Sequence, residues 1–260
     1  MEPTYITSRT NPLVVSLAKL CDKKERDKTG LYIAEGFKLC KEACGRGRVR
    51  YAVLRQDRQQ QEQYAELVKC CGGAPIVLSE SAYDKITKDR SPDGILFVME
   101  VESLKIPGDM AGERLCILDG IQDPGNVGTI IRTAAALGMD RMILHDCADI
   151  YNPKVIRATM GALFKISVSV CNDLQGMIAQ LQNAGRRVIA AALSEQGLTL
   201  GNALLYPTDC PILGNEGHGI AAAVIDRCDA SIKIPMTDKT ESLNAAAAAA
   251  VLLWEYSKLQ

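Results

Sequence analysis

The stretch from Ile234 to Glu255, IPMTDKTESLNAAAAAAVLLWE, joins an apolar segment to an alanine-rich C-terminal segment. The first part predicts a strand from Ser231 to Ile234, which runs into a polar loop. The loop reaches the alanine run through Ser242 and Asn244, two residue types that commonly cap helices. Because alanines carry little side-chain bulk, the sequence predicts a terminal helix that packs closely against another element.

The segments before this stretch repeat the pattern of a short apolar strand followed by a helix. Strands are predicted at 115–118, 142–144, 166–170, 188–193 and 212–213, and helices lie between them. Strands that are apolar on both faces and are separated by helices are typical of a parallel sheet covered on both sides. Ligands of such sheets bind at the carboxyl ends of the strands. This half of the chain is therefore predicted to be a Rossmann-like α/β domain.

The N-terminal half predicts a second, smaller α/β domain. Short apolar strands alternate with helices up to Val101, and the segment ESLKIPGDMAG that follows is polar and rich in Gly and Pro. We predict an N-terminal domain at 1–103, a linker at about 104–111 and a C-terminal domain at 112–260.

Composition narrows the class of protein. No uncharged apolar run is long enough to span a bilayer, and the N-terminus lacks the apolar core of a signal peptide, so we expect a cytoplasmic protein without a membrane segment. The ten cysteines are expected to be free or buried thiols. With two histidines and no second cysteine pair at ligand spacing, no metal site is expected.

Charge is distributed unevenly along the chain. Residues 1–58 carry 13 Lys and Arg against 7 Asp and Glu, whereas the remainder carries 17 against 24. A basic segment on a nearly neutral chain indicates either a local contact with a polyanion or an ordinary solvated surface.

Three polar loops follow predicted strands of the C-terminal half. The first is LDGIQDPGNVG (118–128), where Asn126 can cap a helix that carries Arg132. The second is the glycine-rich LGNEGHG (213–219), and the third is the loop before the alanine helix. Together the loops supply Arg, Asn, Glu and Ser side chains at strand ends, a convergence typical of a functional site.

The three loops resemble the three motifs of the SpoU (TrmH-like) branch of the SPOUT RNA methyltransferases. The similar elements are N-x-G-x-x-x-R-T-A, L-G-N-E-G-x-G and I-P-M…E-S-L-N, together with the middle segment at 152–164, and the likeness covers 115–255. The N-terminal half is similar to the family's ribosomal-protein-like substrate-binding domain. The resemblance implies a C-terminal trefoil knot, S-adenosyl-L-methionine as the methyl donor, a homodimer, and methyl transfer to a ribose 2′-hydroxyl of RNA.

The resemblance also implies roles for individual residues. The implied catalytic set is Arg132, Asn126, Glu216, Ser242 and Asn244. The implied cofactor-binding set is Leu193, Gly214, Asn215, Glu216, Gly217, Ile234, Met236, Leu243 and Asn244. For RNA, the basic residues Arg9, Lys23, Lys24, Arg26 and Arg132 are candidate phosphate contacts.

The residue types fit this chemistry. A ribose 2′-hydroxyl is a poor nucleophile that must lose its proton and be held in line with the methyl donor. The sequence suggests no Asp–His pair as a base, and an arginine stays protonated. We therefore predict that Arg132 binds the RNA phosphate or stabilises the developing alkoxide, while Ser242 and Asn244 orient the oxygen.

Several alternatives stay open at this point. The RNA is ribosomal RNA in the leading hypothesis and tRNA in the next, and a role in antibiotic resistance through the same chemistry is a further alternative. A non-catalytic RNA-binding relative is disfavoured by the complete polar set. A dinucleotide oxidoreductase is disfavoured because Gly125-x-x-Gly128 lacks the G-x-G-x-x-G spacing.

Overall fold

The computed structural model describes residues 2–194, 197–215, 217–240 and 242–259, and the chain divides into two compact units. Unit 1 comprises Met1–Glu102 together with Tyr151–Phe164, and unit 2 comprises Ser103–Ile150 and Lys165–Gln260. Unit 1 thus takes in a segment from the second half of the chain. The domain bounds 1–103 and 112–260 stay a prediction.

Unit 1 is built on a mixed five-stranded sheet with the order β1-β4-β3-β5-β2. β1 and β3 run parallel to β4, and β5 runs antiparallel to both β3 and β2. Its strands are β1 (Thr4–Ile6), β2 (Leu31–Glu35), β3 (Val49–Arg55), β4 (Ile76–Leu78) and β5 (Ile95–Glu100). Its helices are α1 (Pro12–Ala18), α2 (Lys23–Thr29), α3 (Phe37–Ala43), α4 (Glu62–Lys69), α5 (Glu80–Ile86) and α7 (Pro153–Thr159).

The core of unit 1 forms where α1 and α5 pack on the sheet. Leu17, Tyr83 and Val98 are among its buried residues. The charged helices α2 and α5 and the edge strand β1 were not predicted, because their apolar residues are too few to give a clear period. Helix α5 packs on α1, β3 and β4, whereas α2 and β1 stay largely exposed. These tertiary contacts are not contained in a local pattern.

Two cysteines of unit 1 correct the expectation of free or buried thiols. Cys44 and Cys70 form a disulfide, with a distance of 5.8 Å between their Cα atoms. The other eight cysteines are free thiols. The sequence did not predict the pairing because the two residues are 26 positions apart and meet only where α3 packs against α4.

Glu35 is a largely buried carboxylic acid at the end of β2. Burial raises its pKa above the ordinary value of 4.5, although a hydrogen bond from Thr87 and the nearby charge of Arg157 oppose the shift. The folded unit therefore holds the proton more tightly than the unfolded chain does. This contribution to stability is present below about pH 4.5 and is lost as the pH rises through the folded-state pKa.

Glu35→Gln is expected to raise the melting temperature at neutral pH and to leave it nearly unchanged at pH 4, because the amide is uncharged throughout. Melting temperatures of the two proteins, measured from pH 4 to pH 7, should diverge with rising pH. Glu100→Gln, on β5, controls for the loss of one carboxylate. Parallel curves for Glu35→Gln and the unchanged chain would contradict the expectation.

Unit 2 is built on a seven-stranded sheet in which every observed pairing is parallel, with the order β10-β12-β9-β11-β6-β7-β8. The predicted parallel α/β sheet is confirmed. Its strands are β6 (Leu115–Asp119), β7 (Arg141–His145), β8 (Ser167–Cys171), β9 (Val188–Ala191), β10 (Leu198–Thr199), β11 (Cys210–Leu213) and β12 (Ala230–Lys233). Its helices are α6 (Pro124–Ala136), α8 (Leu174–Asn183), α9 (Ala222–Ile225) and α10 (Ala245–Ser257).

The alanine-rich helix α10 packs along α6, as the small side chains predict. Ala249, Leu252 and Leu253 of α10 are fully buried, and Ile131 and Ala134 are buried on α6. Strand pairing alone does not describe how the chain threads, so the trefoil knot stays a prediction. No helix in the described part of the chain is long and apolar enough to cross a membrane.

Candidate active site

A cavity of about 490 Å³ opens at the carboxyl ends of β9, β11 and β12, the three adjacent strands on one side of the unit 2 sheet. It lies where a parallel sheet ordinarily holds a ligand. Its walls are formed by three segments: the residues after β9, the glycine loop after β11, and the chain between β12 and α10. The lining residues include Leu193, Leu213, Gly214, Asn215, Gly217, Ile234, Met236, Ser242 and Leu243.

The glycine loop after β11 folds back on itself in a tight turn. Asn215 and Gly219 exchange two backbone hydrogen bonds of 3.1 and 3.0 Å. A Cβ added to Gly214 would lie 2.6 Å from the carbonyl carbon of Gly219, so the turn can close only with glycine at that position. At Gly214, Gly217 and Gly219 the loop presents backbone to the cavity in place of side chains.

The Asn215 side chain joins two of the predicted loops. Its Nδ2 donates to the carbonyl oxygen of Gly120 at 2.7 Å, and its Oδ1 accepts from the backbone N–H groups of Gly217 and His218. Because both ends of the amide are used within the protein, Asn215 holds the glycine loop against the loop after β6.

Asn126 and Asn244, which are 118 positions apart, meet across the start of two helices. Asn244 caps α10 by accepting from Ala246 N and Ala247 N, and its Nδ2 donates to Asn126 Oδ1 at 3.2 Å. The suggestion that Asn126 caps its own helix is wrong, since Asp123 is the cap and accepts from Asn126 N at 2.8 Å. The capping aspartate leaves the Asn126 side chain to reach Asn244.

In the part of the chain that the structure describes, neither Ser242 nor Arg132 is hydrogen-bonded to the Asn126–Asn244 pair. Ser242 lines the cavity and is exposed, and its carbonyl oxygen accepts from Thr240 Oγ1. Arg132 is exposed on α6, does not line the cavity, and makes no hydrogen bond or ion pair with any residue the structure describes. Glu216, predicted for both catalysis and cofactor binding, lies outside the described residues.

An Asp–His pair stands at the carboxyl ends of β6 and β7, contrary to the sequence-based expectation. His145 Nδ1 lies 2.7 Å from Asp119 Oδ1, and both side chains are largely buried. The two residues are 26 positions apart, so only the parallel pairing of β6 with β7 brings them together. Neither residue lines the cavity.

The predicted cofactor residues Leu193, Gly214, Asn215, Gly217, Ile234, Met236 and Leu243 all line the cavity, whereas Asn244 does not. The sequence did not single out several further lining residues. They are Ala191, Ala192, Gly219, Ile220, Ile225, Ile232, Lys233, Ala245 and Ala248, together with His218 of the glycine loop. Most of them are small or apolar residues near the ends of strands and helices. Their position close to the end of a predicted strand was the sequence feature that could have identified them as lining residues.

The four predicted RNA contacts of unit 1 differ in their surroundings. Arg9 and Lys24 are exposed, and Lys23 is exposed but ion-paired with Asp27 at 2.7 Å. Arg26 is only 3% exposed and donates to the carbonyl oxygens of Leu20 and Cys21 at 2.8 Å. Arg26 thus holds the turn before α2 together, and the prediction that it contacts a phosphate is wrong.

Asn244→Ala is expected to lower the free energy of unfolding by about 1 kcal/mol, because α10 loses its cap, and also to reduce activity. Asn126→Ala removes the same 3.2 Å side-chain bond but keeps the cap. Urea titrations and methylation assays of both variants separate the loss of the helix cap from the loss of the side-chain hydrogen bond. Equal stability of Asn244→Ala and the unchanged chain would contradict the capping role.

Comparisons with known proteins give consistent results. The SpoU rRNA Methylase family model matches residues 113–254, and an MRM3-like substrate binding domain matches residues 11–96. The chain is 33% identical over 251 residues to the Bacillus subtilis 23S rRNA (guanosine(2553)-2'-O)-methyltransferase RlmP, covering 96% of this chain and 97% of that protein. It is 27% identical over 263 residues to a Streptomyces viridochromogenes 23S rRNA (uridine(2479)-2'-O)-methyltransferase, covering 96% and 90%.

A solved structure of a Sinorhizobium meliloti rRNA methyltransferase with bound AdoMet superposes on this chain with a TM-score of 0.85. The two sequences are 30% identical, and the superposition covers 98% of this chain and 97% of the other.

Proposed function

This chain belongs to the SpoU rRNA Methylase family, and on that premise we propose that it transfers a methyl group from S-adenosylmethionine to a ribose 2′-hydroxyl of large-subunit ribosomal RNA. The observation that carries the proposal is the strand-end cavity, which is lined by two of the three loops whose sequences match the family motifs. The third, the loop after β6, is joined to the glycine loop by the hydrogen bond from Asn215 to Gly120. The two relatives at 33% and 27% identity are both named as 23S rRNA 2′-O-methyltransferases.

The cavity suits the cofactor in size and in lining. Its volume of about 490 Å³ falls in the range of small-molecule sites, which are mostly apolar with a few placed polar groups. Leu193, Ile234, Met236 and Leu243 provide apolar walls. The described residues at 214–215, 217–219, 234–240 and 242–244 form no helix or strand apart from the Asn215–Gly219 bridge, so backbone groups there can bind the adenosine.

When bound, S-adenosylmethionine supplies an electrophilic methyl group on a sulfonium centre. The protein's part is to hold the RNA ribose and to stabilise charge as the 2′-hydroxyl loses its proton. Arg132 suits the second task because its guanidinium stays protonated, is exposed and is not neutralised by any described side chain.

Asn126 and Asn244 suit the task of positioning. The hydrogen bond between them fixes the direction of both amides, and the capping of α10 fixes Asn244 a second time. An amide held in this way can orient a hydroxyl without an entropic cost at the moment of reaction. Ser242, exposed beside the cavity, is a further candidate to bind the ribose. Glu216 keeps its proposed role by the family motif alone.

We also propose that the protein acts as a homodimer through the outer face of α10. Val251 and Trp254 are 42% and 56% exposed on this helix, and the exposed Ala247 lies one turn before Val251. Exposed apolar side chains in one row on a helix are commonly covered by a partner. As for location, an rRNA substrate would place the protein in the cytoplasm. Light scattering of Trp254→Glu, expected to be monomeric, tests the dimer.

The function is tested by incubating the protein and S-adenosylmethionine with ribosomal RNA, or with tRNA, from cells that lack this gene. Mapping of 2′-O-methyl groups is expected to reveal one modified nucleotide in the large-subunit RNA. Modification of tRNA alone would favour the alternative substrate. Cofactor binding by calorimetry without methylation of any RNA would favour a non-catalytic relative.

A further inference from the structure

Unit 1 carries a second cavity, of about 720 Å³, at the carboxyl end of β3. We name it the arginine pocket and define it by Phe37, Lys38, Arg55, Arg58, Tyr64 and Arg90, which line it together with Gln61, Gln63, Asp93 and two residues of the loop before Asp93. None of the candidate phosphate contacts that were named from the sequence lines this pocket.

Positive charge dominates the arginine pocket. Four of its lining residues are cationic and one, Asp93, is acidic. The Asp93 carboxylate is engaged, since its Oδ2 accepts from Phe37 N at 2.8 Å. Lys38 and Arg90 are exposed and make no ion pair or hydrogen bond with the described residues. A concave surface with unneutralised cations attracts phosphate groups.

The two arginines at the end of β3 are held in fixed positions. Arg55 donates to Asp57 through Nε and Nη2 at 2.7 and 2.8 Å, and this pairing raises the pKa of Arg55. Arg58 Nε lies 3.3 Å from Asp57 Oδ2. One carboxylate therefore orients two guanidinium groups and leaves a net positive charge.

The backbone under Arg58 is shaped to accept its side chain. Gly94 has a φ of +88°, and a Cβ at that position would lie 2.6 Å from Arg58 Cγ. The stem of Arg58 thus occupies the space that any other residue at 94 would fill. Close packing of this kind limits the rotamers of Arg58 and makes the pocket a preformed surface.

An aromatic surface lies among these cations. The Phe37 ring is half-buried, and its centroid is 6.1 Å from that of Tyr64. Tyr64 is buried and donates its hydroxyl to the carbonyl oxygen of Asp93 at 2.5 Å, which fixes the ring behind Phe37. Unpaired RNA bases stack on such aromatic faces while cations contact the adjoining phosphates.

We propose that the arginine pocket binds an unpaired nucleotide of the substrate RNA, with the base against Phe37 and the flanking phosphates at Arg58, Arg90 and Lys38. Two glutamines lie at its rim: Gln63 is exposed and donates to Oε1 of the partly buried Gln61 at 2.8 Å, and the amide groups left over can bind a base edge. This inference rests on the proposed function for the identity of the RNA, but the nucleotide site itself is tested by binding alone.

The test measures the affinity of the full-length protein for a single-stranded 12-nucleotide RNA and for its duplex by fluorescence anisotropy. Arg58→Ala and Arg90→Ala are expected to raise the Kd for single strands roughly tenfold and to reduce the salt slope by about one. Phe37→Ala is expected to raise it roughly five- to 150-fold, and Phe37→Tyr to restore binding.

Arg50→Ala is the matched control. Arg50 also belongs to β3 and has an acidic neighbour, Glu100 at 3.7 Å, but it does not line the pocket. Its substitution is expected to leave the Kd within about twofold. If Arg50→Ala weakens binding as much as Arg58→Ala does, or if Phe37→Ala binds as tightly as the unchanged chain, the pocket is ordinary surface charge and the proposal is overturned.

These measurements distinguish a failure of the proposed methyl transfer from a failure of the proposed nucleotide pocket. Cofactor affinity and melting temperature are measured for every variant, and a variant that loses either is set aside in favour of Phe37→Leu or Arg90→Gln. If no RNA is methylated by the unchanged chain but Phe37→Ala still loses single-strand affinity, the nucleotide pocket stands while the proposed function fails. In the opposite case the function stands and the pocket is refuted.

Discussion

Arg132→Ala is expected to lower the rate of methyl transfer by about 10²- to 10³-fold and to leave the Kd for S-adenosylmethionine unchanged within about twofold. The side chain is exposed on α6, outside the lining of the cavity, and no described residue neutralises it. Its removal therefore takes away charge stabilisation without altering the cofactor walls. Calorimetry with the cofactor and single-turnover methylation of RNA measure the two quantities separately.

Arg227→Ala is a suitable control for Arg132→Ala, since Arg227 is also an exposed arginine of unit 2 but follows α9. It should keep full activity. Arg132→Lys distinguishes charge from geometry, because lysine keeps the charge but not the planar fork of donors. Normal turnover by Arg132→Ala would remove this residue from the proposed mechanism, and loss of cofactor binding would reassign it to the cofactor site.

Gly214→Ala is expected to weaken cofactor binding. The added Cβ would lie 2.6 Å from the carbonyl carbon and 2.7 Å from the carbonyl oxygen of Gly219. The Asn215–Gly219 pairing prevents the backbone from moving away without loss of its hydrogen bonds. Overpacking of this kind costs about 1–3 kcal/mol, which corresponds to roughly a five- to 150-fold increase in Kd if the loop must be restored to bind.

Gly217→Ala is the matched control for Gly214→Ala, because both glycines line the same cavity. At Gly217 the nearest atom to an added Cβ is Asn215 Oδ1 at 3.5 Å, an ordinary contact. Its Kd for S-adenosylmethionine should therefore rise by much less than that of Gly214→Ala. Equal effects would mean that any methyl group in the loop blocks the cofactor, and that the turn geometry at Gly214 is not the cause.

The sequence predicted the lining of the strand-end cavity better than the arrangement of the polar residues around it. Seven of the predicted cofactor residues line the cavity because they occupy strand-end loops, and a parallel sheet brings such loops to one edge. Asn126 illustrates how far sequence position can predict the role of a side chain. Its sequence position suggested a helix cap, but the helix begins two residues earlier at Pro124, and Asp123 takes the capping role.

The burial of a charged side chain was a second reason why a sequence-based prediction was wrong. Arg26 belongs to a strongly basic segment, which suggested a phosphate contact, yet its guanidinium is used by two carbonyl oxygens of its own turn. A count of charges does not distinguish a solvated arginine from a buried one. The cations of the arginine pocket, by contrast, come from separate segments and are brought together by β3, α3 and the loop before β5.

By itself, the sequence determined the α/β class, the parallel sheet of unit 2, the close packing of its alanine helix and the strand-end loops that line the cavity. Each of these follows from local periodicity, side-chain size or motif spacing. Tertiary structure alone decided the Asp119–His145 pair, the Asn126–Asn244 bond and the Cys44–Cys70 disulfide, which join residues 26, 118 and 26 positions apart. Such pairings depend on which strands and helices become neighbours, and no local pattern of residues contains that information.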